Sequence, residues 1–216
     1  DYVGAGGSDP AAYDPARYAS LESYADDVLA ICHELDLEKV VFIGHSVSSM
    51  IGVLAANKEP ELFDKLVMVG PSPRYINEGE YVGGFGEADI LELLESLESN
   101  YLGWSSTMAP VIMGNPDRPE LGAELEASFC RTDPKIARDF ARVTFLSDNR
   151  ADLQKLKVPT LVLQCRNDAS APIGVGEYVR DAISSSTYVL LDATGHCPHL
   201  SMPERTAEAI ASFVGG

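Results

Sequence analysis

A short apolar run, Val40 to Ile43, passes without a break into Gly44-His45-Ser46-Val47-Ser48 and from there into a helical pattern that reaches about Asn57. No other feature of the 216-residue chain restricts its fold as tightly. A near-continuous apolar run of this length reads as a strand of a parallel sheet, buried on both faces. A helix that begins at once leaves only a sharp, strained turn between the two. A serine there has its Oγ exposed, and small residues two positions to either side relieve the crowding. Gly44 and Ser48 fill those positions, Ser48 standing where the commoner pattern has a second glycine. For the pentapeptide alone, a serine that merely caps a helix in an ordinary turn is the alternative.

The strand-then-helix rhythm recurs. Leu21, Tyr24, Ala25, Val28, Leu29, Cys32 and Leu35 fall at helical spacing over Ser20 to Leu35, with Ser20 placed as N-cap. Strands are expected at Leu66 to Gly70, Thr160 to Gln164 and Tyr188 to Leu191, with helices near Gly174 to Ile183 and Pro203 to Val214. Such alternation implies an α/β fold, a mostly parallel sheet with helices on both faces. Between Pro71 and about Lys157 only helical patterns appear: Ala88 to Leu97, Leu102 to Met113, Leu121 to Phe129, and Lys135 to Phe145. Pro110, Pro116, Pro119 and Pro134 punctuate them. The chain therefore divides into a first core part (1–73), a helical insertion that reads as a lid (74–150) and a second core part (151–216). Asp1 to Tyr18, rich in Gly, Asp, Pro and Tyr, reads as an irregular loop.

Partners for the serine follow in the order that a parallel sheet of this kind requires, acid and then histidine. Asp168 comes just past the strand at Thr160 to Gln164, and His196 follows the next strand in Thr194-Gly195-His196. Both fall at carboxyl ends of strands, where such sheets bind ligands. Taken singly, Asp168 reads as a loop carboxylate and His196 as a surface histidine; the order and placement of all three make a triad the better reading. His196 would take the Ser46 proton, Asp168 would hold the imidazole in the needed tautomer, and the product would be an acyl-serine. The backbone N–H of Val47, at the helix start, would face the developing oxyanion.

Other groups are weighed against plainer roles. His196-Cys197-Pro198-His199 with Cys165 offers soft ligands, but the spacing fits no zinc module, so neither metal nor other cofactor is expected. His45 reads as a packed or hydrogen-bonding neighbour rather than a second base. Tyr75, Leu102, Trp104, Met108, Phe129, Phe140 and Phe145 lie in or beside the insertion, where some pack it and others are candidates to line an apolar pocket above Ser46. The net charge of −17 repels nucleic acid and anionic lipid, so neither is an expected partner. The four cysteines form no CxxC pair, which favours reduced thiols and a cytoplasmic protein, and no apolar run is long enough for a membrane span.

Several linked motifs carry a resemblance to a known family. Gly44-His45-Ser46-Val47-Ser48-Ser49-Met50-Ile51-Gly52, Pro71-Ser72-Pro73-Arg74-Tyr75, Tyr81-Val82-Gly83-Gly84-Phe85 and Gly195-His196-Cys197-Pro198-His199-Leu200-Ser201 resemble the RsbQ-type α/β-hydrolases, which include bacterial stress-signalling hydrolases and the plant strigolactone and karrikin receptors. Asn115 to Glu120 and the Cys-Pro-His ending are closer to the bacterial members, and Ser48 to the plant receptors. The resemblance implies an α/β-hydrolase fold, a four-helix V-shaped lid over a hydrophobic pocket, and slow hydrolysis of small ester- or lactone-like ligands. In the bacterial members it also implies a signalling partner resembling a PAS-domain phosphatase.

Family members carry further strands ahead of the segment resembling Asp1 to Gly6, and a His-Gly loop that supplies the second oxyanion donor. The expectation is a fragment that lacks the N-terminal part of the sheet, exposes the apolar edge at Val40 to Ile43 and folds poorly alone. The leading functional expectation is a serine hydrolase of small, largely apolar esters or lactones. The rival is a ligand-sensing signalling protein with slow turnover. A catalytically dead fold is disfavoured because all three triad residues are present, and dehalogenase chemistry because the turn holds Ser rather than Asp.

Overall fold

The computed structural model describes residues 1–216. After an irregular opening with one short 3-10 turn, α1 (Leu21–Glu34) leads to β1 (Val40–His45), α2 (Val47–Lys58) and β2 (Phe63–Val69). Four helices then follow in succession: α3 (Glu87–Ser99), α4 (Tyr101–Met113), α5 (Pro119–Phe129) and α6 (Pro134–Leu146). The chain returns through a single turn, α7 (Arg150–Leu153), to β3 (Thr160–Asn167), α8 (Ile173–Ala182) and β4 (Ser186–Thr194). It closes with α9 (Pro198–Ser201) and α10 (Pro203–Gly215).

The strands form one four-stranded sheet in the order β1-β2-β3-β4, every pairing parallel. Side chains alternate across it as strand geometry requires. Leu66, Met68 and Val162 join the main core with α1, α2 and α8, whereas Val67, Val69, Leu161 and Leu163 pack on the opposite side against Ala209, Ile210 and Phe213 of α10. Helices thus cover both faces, as the sequence rhythm implied. Helix α2 is the most enclosed: Ser49 to Ala56 are all buried, consistent with a helix that is apolar nearly all round.

Two local expectations need correction. The apolar pattern at Val40 to Ile43 reads as a strand buried on both faces, but β1 is an edge strand, the exposed apolar edge also expected for this chain, with Val40 to Phe42 half-buried and Ile43 52% exposed. Ser20 occupies the N-cap position of α1 but makes no side-chain bond to the helix. As the helical pattern at Leu102 to Met113 implies, Pro110 lies inside α4, in its last turn, and the helix ends at Gly114 in the left-handed conformation. Pro119 and Pro134 instead open α5 and α6, where a missing N–H costs nothing. At α6 the Asp133 side chain accepts from the N–H groups of Lys135 and Ile136.

The two chain segments that enter and leave the helical stretch are tied to each other. Arg150 donates to Asp148 at 2.6 Å and also to Glu78, Arg74 donates to Asp148 at 3.4 Å, and the Arg150 guanidinium lies 4.9 Å from the Tyr81 ring centre. Above that root, Ile90, Leu94 and Leu97 of α3 pack with Tyr75, Tyr101 and Ala141 as a core separate from that of the sheet. No helix is long and apolar enough to cross a membrane.

Candidate active site

The turn between β1 and α2 has the strain its sequence implies. Ser46 adopts φ 55° and ψ −124°, a conformation L-residues rarely occupy, and its N–H is held by the Val69 carbonyl at 2.8 Å. Gly44 is required by space: a Cβ there would come within 2.5 Å of the Ser48 carbonyl oxygen. Ser49 reinforces the bend from inside, its hydroxyl donating to the Gly44 carbonyl at 2.9 Å. Val47 opens α2, so its N–H is among the donors a helix start leaves unpaired.

Asp168 and His196 come to this turn from the ends of β3 and β4. His196 Nε2 lies 2.7 Å from Ser46 Oγ, and His196 Nδ1 lies 2.7 Å from Asp168 Oδ2. The carboxylate accepts, so Nδ1 carries the proton and Nε2 is left to receive one from the serine. The other carboxylate oxygen, Oδ1, accepts from the N–H groups of Ser170 and Ala171 at 2.8 and 3.1 Å. The Asp168 side chain is fully buried and that of His196 nearly so, which strengthens each of these bonds relative to water. The three residues singled out from the sequence therefore form one hydrogen-bonded chain.

The histidine loop is held from two sides. The Gly195 N–H donates to the Asn167 carbonyl at 2.7 Å, and the His196 N–H donates to the Ile112 carbonyl, in the last turn of α4, at 2.9 Å. Asn115 donates to the carbonyls of Met113 and Thr194 at 2.6 and 2.8 Å, and Arg118 donates to that of Ser201 at 2.8 Å. Gly195 has φ +93°, and a Cβ on it would fall 1.8 Å from the Met113 carbonyl oxygen. These bonds involve backbone groups, so no side-chain motif announces them.

His45 behaves as a structural neighbour. Its Nε2–H donates to the His196 carbonyl at 2.7 Å, and its ring lies 4.8 Å from that of His196 and 4.6 Å from that of His199. Burial pushes its pKa down to about 3, with repulsion from His196 and His199 adding to the effect, so the ring is neutral. Burial likewise raises the Cys165 and Cys197 thiols to about 12. Ligand-type atoms of His45, Cys197 and His199 do converge to within 4.8 Å of one another. The set differs from the one weighed in the sequence, since neither Cys165 nor His196 belongs to it and His45 does. With one His45 nitrogen committed to a carbonyl and the thiol protonated, the group is chemically a packed cluster.

A cavity of about 420 Å³ opens over Ser46. Of the candidates read from sequence, Tyr75, Trp104, Phe129, Phe140 and Phe145 line it; Leu102 and Met108 do not. Leu102 is 59% exposed because Tyr101, Ser105, Ala109 and Met113, at four-residue spacing, form the buried face of α4 and place Leu102 outside it. Met108 is half-buried on the stretch of α4 that α5 covers, where Gly122 comes up against Pro110. The Tyr75 hydroxyl, fully enclosed and with its pKa raised by burial to about 12, lies 3.3 Å from Ser46 Oγ. Tyr2, Val3 and Tyr24 complete the wall from the opening loop and α1, which nothing in the local pattern of those segments signalled. A second, more open hollow of about 600 Å³ runs between Tyr18 and Leu146 and does not reach Ser46.

Comparison with known proteins agrees with this geometry. The model of the "Alpha/beta hydrolase family" matches residues 1–209. The chain is 39% identical over 209 residues to the strigolactone esterase D14 of Arabidopsis thaliana, covering 96% of this chain and 78% of that protein. It is 38% identical over 215 residues to the karrikin insensitive 2 receptor IA of Petunia hybrida, covering 99% and 78%. Among solved structures, a hydrolase from Oleispira antarctica superposes with a TM-score of 0.96 at 40% identity, over 100% of this chain and 80% of that one. On sequence, fold and relatives alike, the chain belongs to the alpha/beta hydrolase family.

Proposed function

We propose that the protein is a serine hydrolase of small, largely apolar esters or lactones, with Ser46, His196 and Asp168 as its catalytic triad. The observation that carries the reading is the chain of 2.7 Å bonds from Asp168 through His196 to Ser46, at the floor of a largely apolar cavity. Ser46 Oγ attacks the carbonyl carbon while its proton passes to His196 Nε2. The Val47 N–H and the α2 N-terminus stabilise the oxyanion that forms. The C–O bond to the alcohol then breaks, the alcohol leaves with the proton from His196, and an acyl-serine remains. Water, deprotonated by the same histidine, releases the acid and regenerates Ser46. In a lactone the freed alcohol stays part of the acyl group, and the second step releases a single hydroxy acid. Residues 74–150 act as the lid, since their helices supply most of the aromatic wall.

Turnover of p-nitrophenyl acetate and hexanoate tests this reading. We expect Ser46→Ala to lower kcat by at least about 10³-fold with the fold intact. Undiminished turnover in that variant would sink the assignment.

A second reading draws on the receptor named among the relatives. In it the protein senses a small ligand, hydrolysis is slow, and binding to a protein partner is the output. The motifs around Ser46, Arg74, Tyr81 and His196 favour the RsbQ-type branch, whose bacterial members suggest a cytoplasmic setting and a PAS-domain phosphatase as partner. Thermal melting of wild type and Ser46→Ala with candidate esters separates the two readings. A sensor shifts its melting temperature when chemistry is blocked, and an enzyme without a sensing role shows turnover without a ligand-dependent partner.

A further inference from the structure

His45, Cys197 and His199 take part in no step of the proposed reaction, yet their ligand-type atoms lie within 4.8 Å of one another. The fold assembles this set from two distant places. His45 ends β1, whereas Cys197 and His199 flank Pro198 just past the histidine of the triad. Spacing along the chain therefore gives no sign of it.

As the protein folds, the three groups are packed and uncharged. Burial and the neighbouring His196 hold His199 below its ordinary pKa, so both imidazoles are neutral near pH 7. Two neutral imidazoles and a thiol are also the donor set that a soft divalent cation selects, with one proton to displace. His45 is prepared for that role. Its Nε2–H donates to the His196 carbonyl at 2.7 Å, so Nδ1 keeps its lone pair. A metal-ligating histidine almost always fixes its other nitrogen on a carbonyl or carboxylate in this way, which sets the tautomer and the ring orientation. His199 is exposed and so offers a way in from solvent. The Glu124 carboxylate acts on it electrostatically, and the net charge of −17 raises the local concentration of cations.

We propose that His45, Cys197 and His199 form a site for a soft divalent cation such as Zn²⁺, and that filling it switches off the triad. The ion takes the place of the Cys197 thiol proton, which goes to solvent, and water completes a tetrahedral shell. Around a tetrahedral Zn²⁺ such ligand atoms stand about 3.3–3.6 Å apart, so the three must draw together by about 1 Å. His196 precedes Cys197 and its carbonyl is held by His45, so it is pulled along with both. A displacement of about 1 Å at a reacting group is enough to cost about 10²-fold in rate. The loss of activity rests on the hydrolase reading; the site itself does not.

Co²⁺ serves as the spectroscopic stand-in for Zn²⁺, in a Cys130→Ser background that removes the one exposed thiol. We expect one ion per chain, with the visible bands of tetrahedral cobalt and a near-ultraviolet thiolate-to-cobalt band. Cys197→Ser should abolish the thiolate band, and His199→Ala should weaken binding by about 10-fold or more. With p-nitrophenyl acetate, saturating Zn²⁺ should lower turnover by about 10²-fold, and a chelator should restore it. His199→Ala should escape that inhibition at the same Zn²⁺ concentration, each variant being compared with its own metal-free rate. Absence of the thiolate band, or a band that survives Cys197→Ser, overturns the site. Inhibition of equal potency in His199→Ala puts the ion on Ser46 and His196 instead and overturns the proposal, as does binding that leaves an active enzyme uninhibited. If no ester is turned over through Ser46, the hydrolase reading fails and the cobalt spectra alone decide the site.

Discussion

Replacing His45 by Gln removes a titrating group from beside the triad while keeping an N–H that can donate to the His196 carbonyl, 2.7 Å from the native Nε2. The imidazole is held at about 3 in the folded protein against 6.5 for a free histidine, chiefly because burial opposes its charged form. A depressed folded pKa gives stability that is fully present above the unfolded value and is lost as pH falls toward the folded one. Between those two values the unfolded chain binds a proton that the folded protein refuses. Stability therefore drops by up to about 1.4 kcal/mol per pH unit from this group, which amounts to about 2 kcal/mol between pH 7 and pH 5. His199, also held below its ordinary value, titrates in the same direction, but it is present in both proteins, as are the carboxylates. Urea denaturation of wild type and His45→Gln at pH 7 and pH 5 isolates the difference. The wild type should lose about 2 kcal/mol more than the variant over that interval. Parallel losses would show that His45 is protonated as readily in the fold as outside it, and the argument from its burial would fail.

Two further outcomes are expected. Gly195→Ala forces a Cβ to within 1.8 Å of the Met113 carbonyl oxygen at φ +93°, and should cost about 3 kcal/mol or more in chemical denaturation; a loss under about 1 kcal/mol would contradict the close approach of α4. Asp168→Asn keeps the shape of the site but can offer its amide N–H to His196 Nδ1, favouring the wrong tautomer; kcat should fall by about 10³- to 10⁴-fold with little change in melting temperature.

Much of this site was legible in the sequence because it depends on order and short-range geometry. The β1–α2 turn is local: Gly44, Ser46 and Ser48 are fixed relative to one another by the chain itself. Asp168 and His196 could be placed because both follow apolar runs whose strand character is plain. The cavity wall was legible in part, because aromatic type reveals what can line a pocket but not which way a helix is turned. Leu102 and Trp104 are two residues apart on α4, and only packing against α3 and α5 decides that one faces solvent and the other the cavity. Tyr2, Val3 and Tyr24 reach the site from a segment whose own composition says only that it is irregular or helical. The anchors of the histidine loop were out of reach altogether, since a bond from the His196 N–H to the Ile112 carbonyl leaves no trace in side-chain identity.

That last bond changes how the protein can be re-engineered. The insertion looks like an exchangeable module that could be traded for another family member's to alter which molecules enter. Yet the end of α4 holds the backbone of His196, the proposed general base, and Asn115 and Arg118 pin the loop on either side of it. A chimera with junctions at the outer limits of 74–150 would therefore import a foreign seat for His196 along with the foreign pocket. Grafts that retain Ile112 to Arg118 and exchange only the helices around them keep the donor protein's selectivity separate from the host's proton transfer.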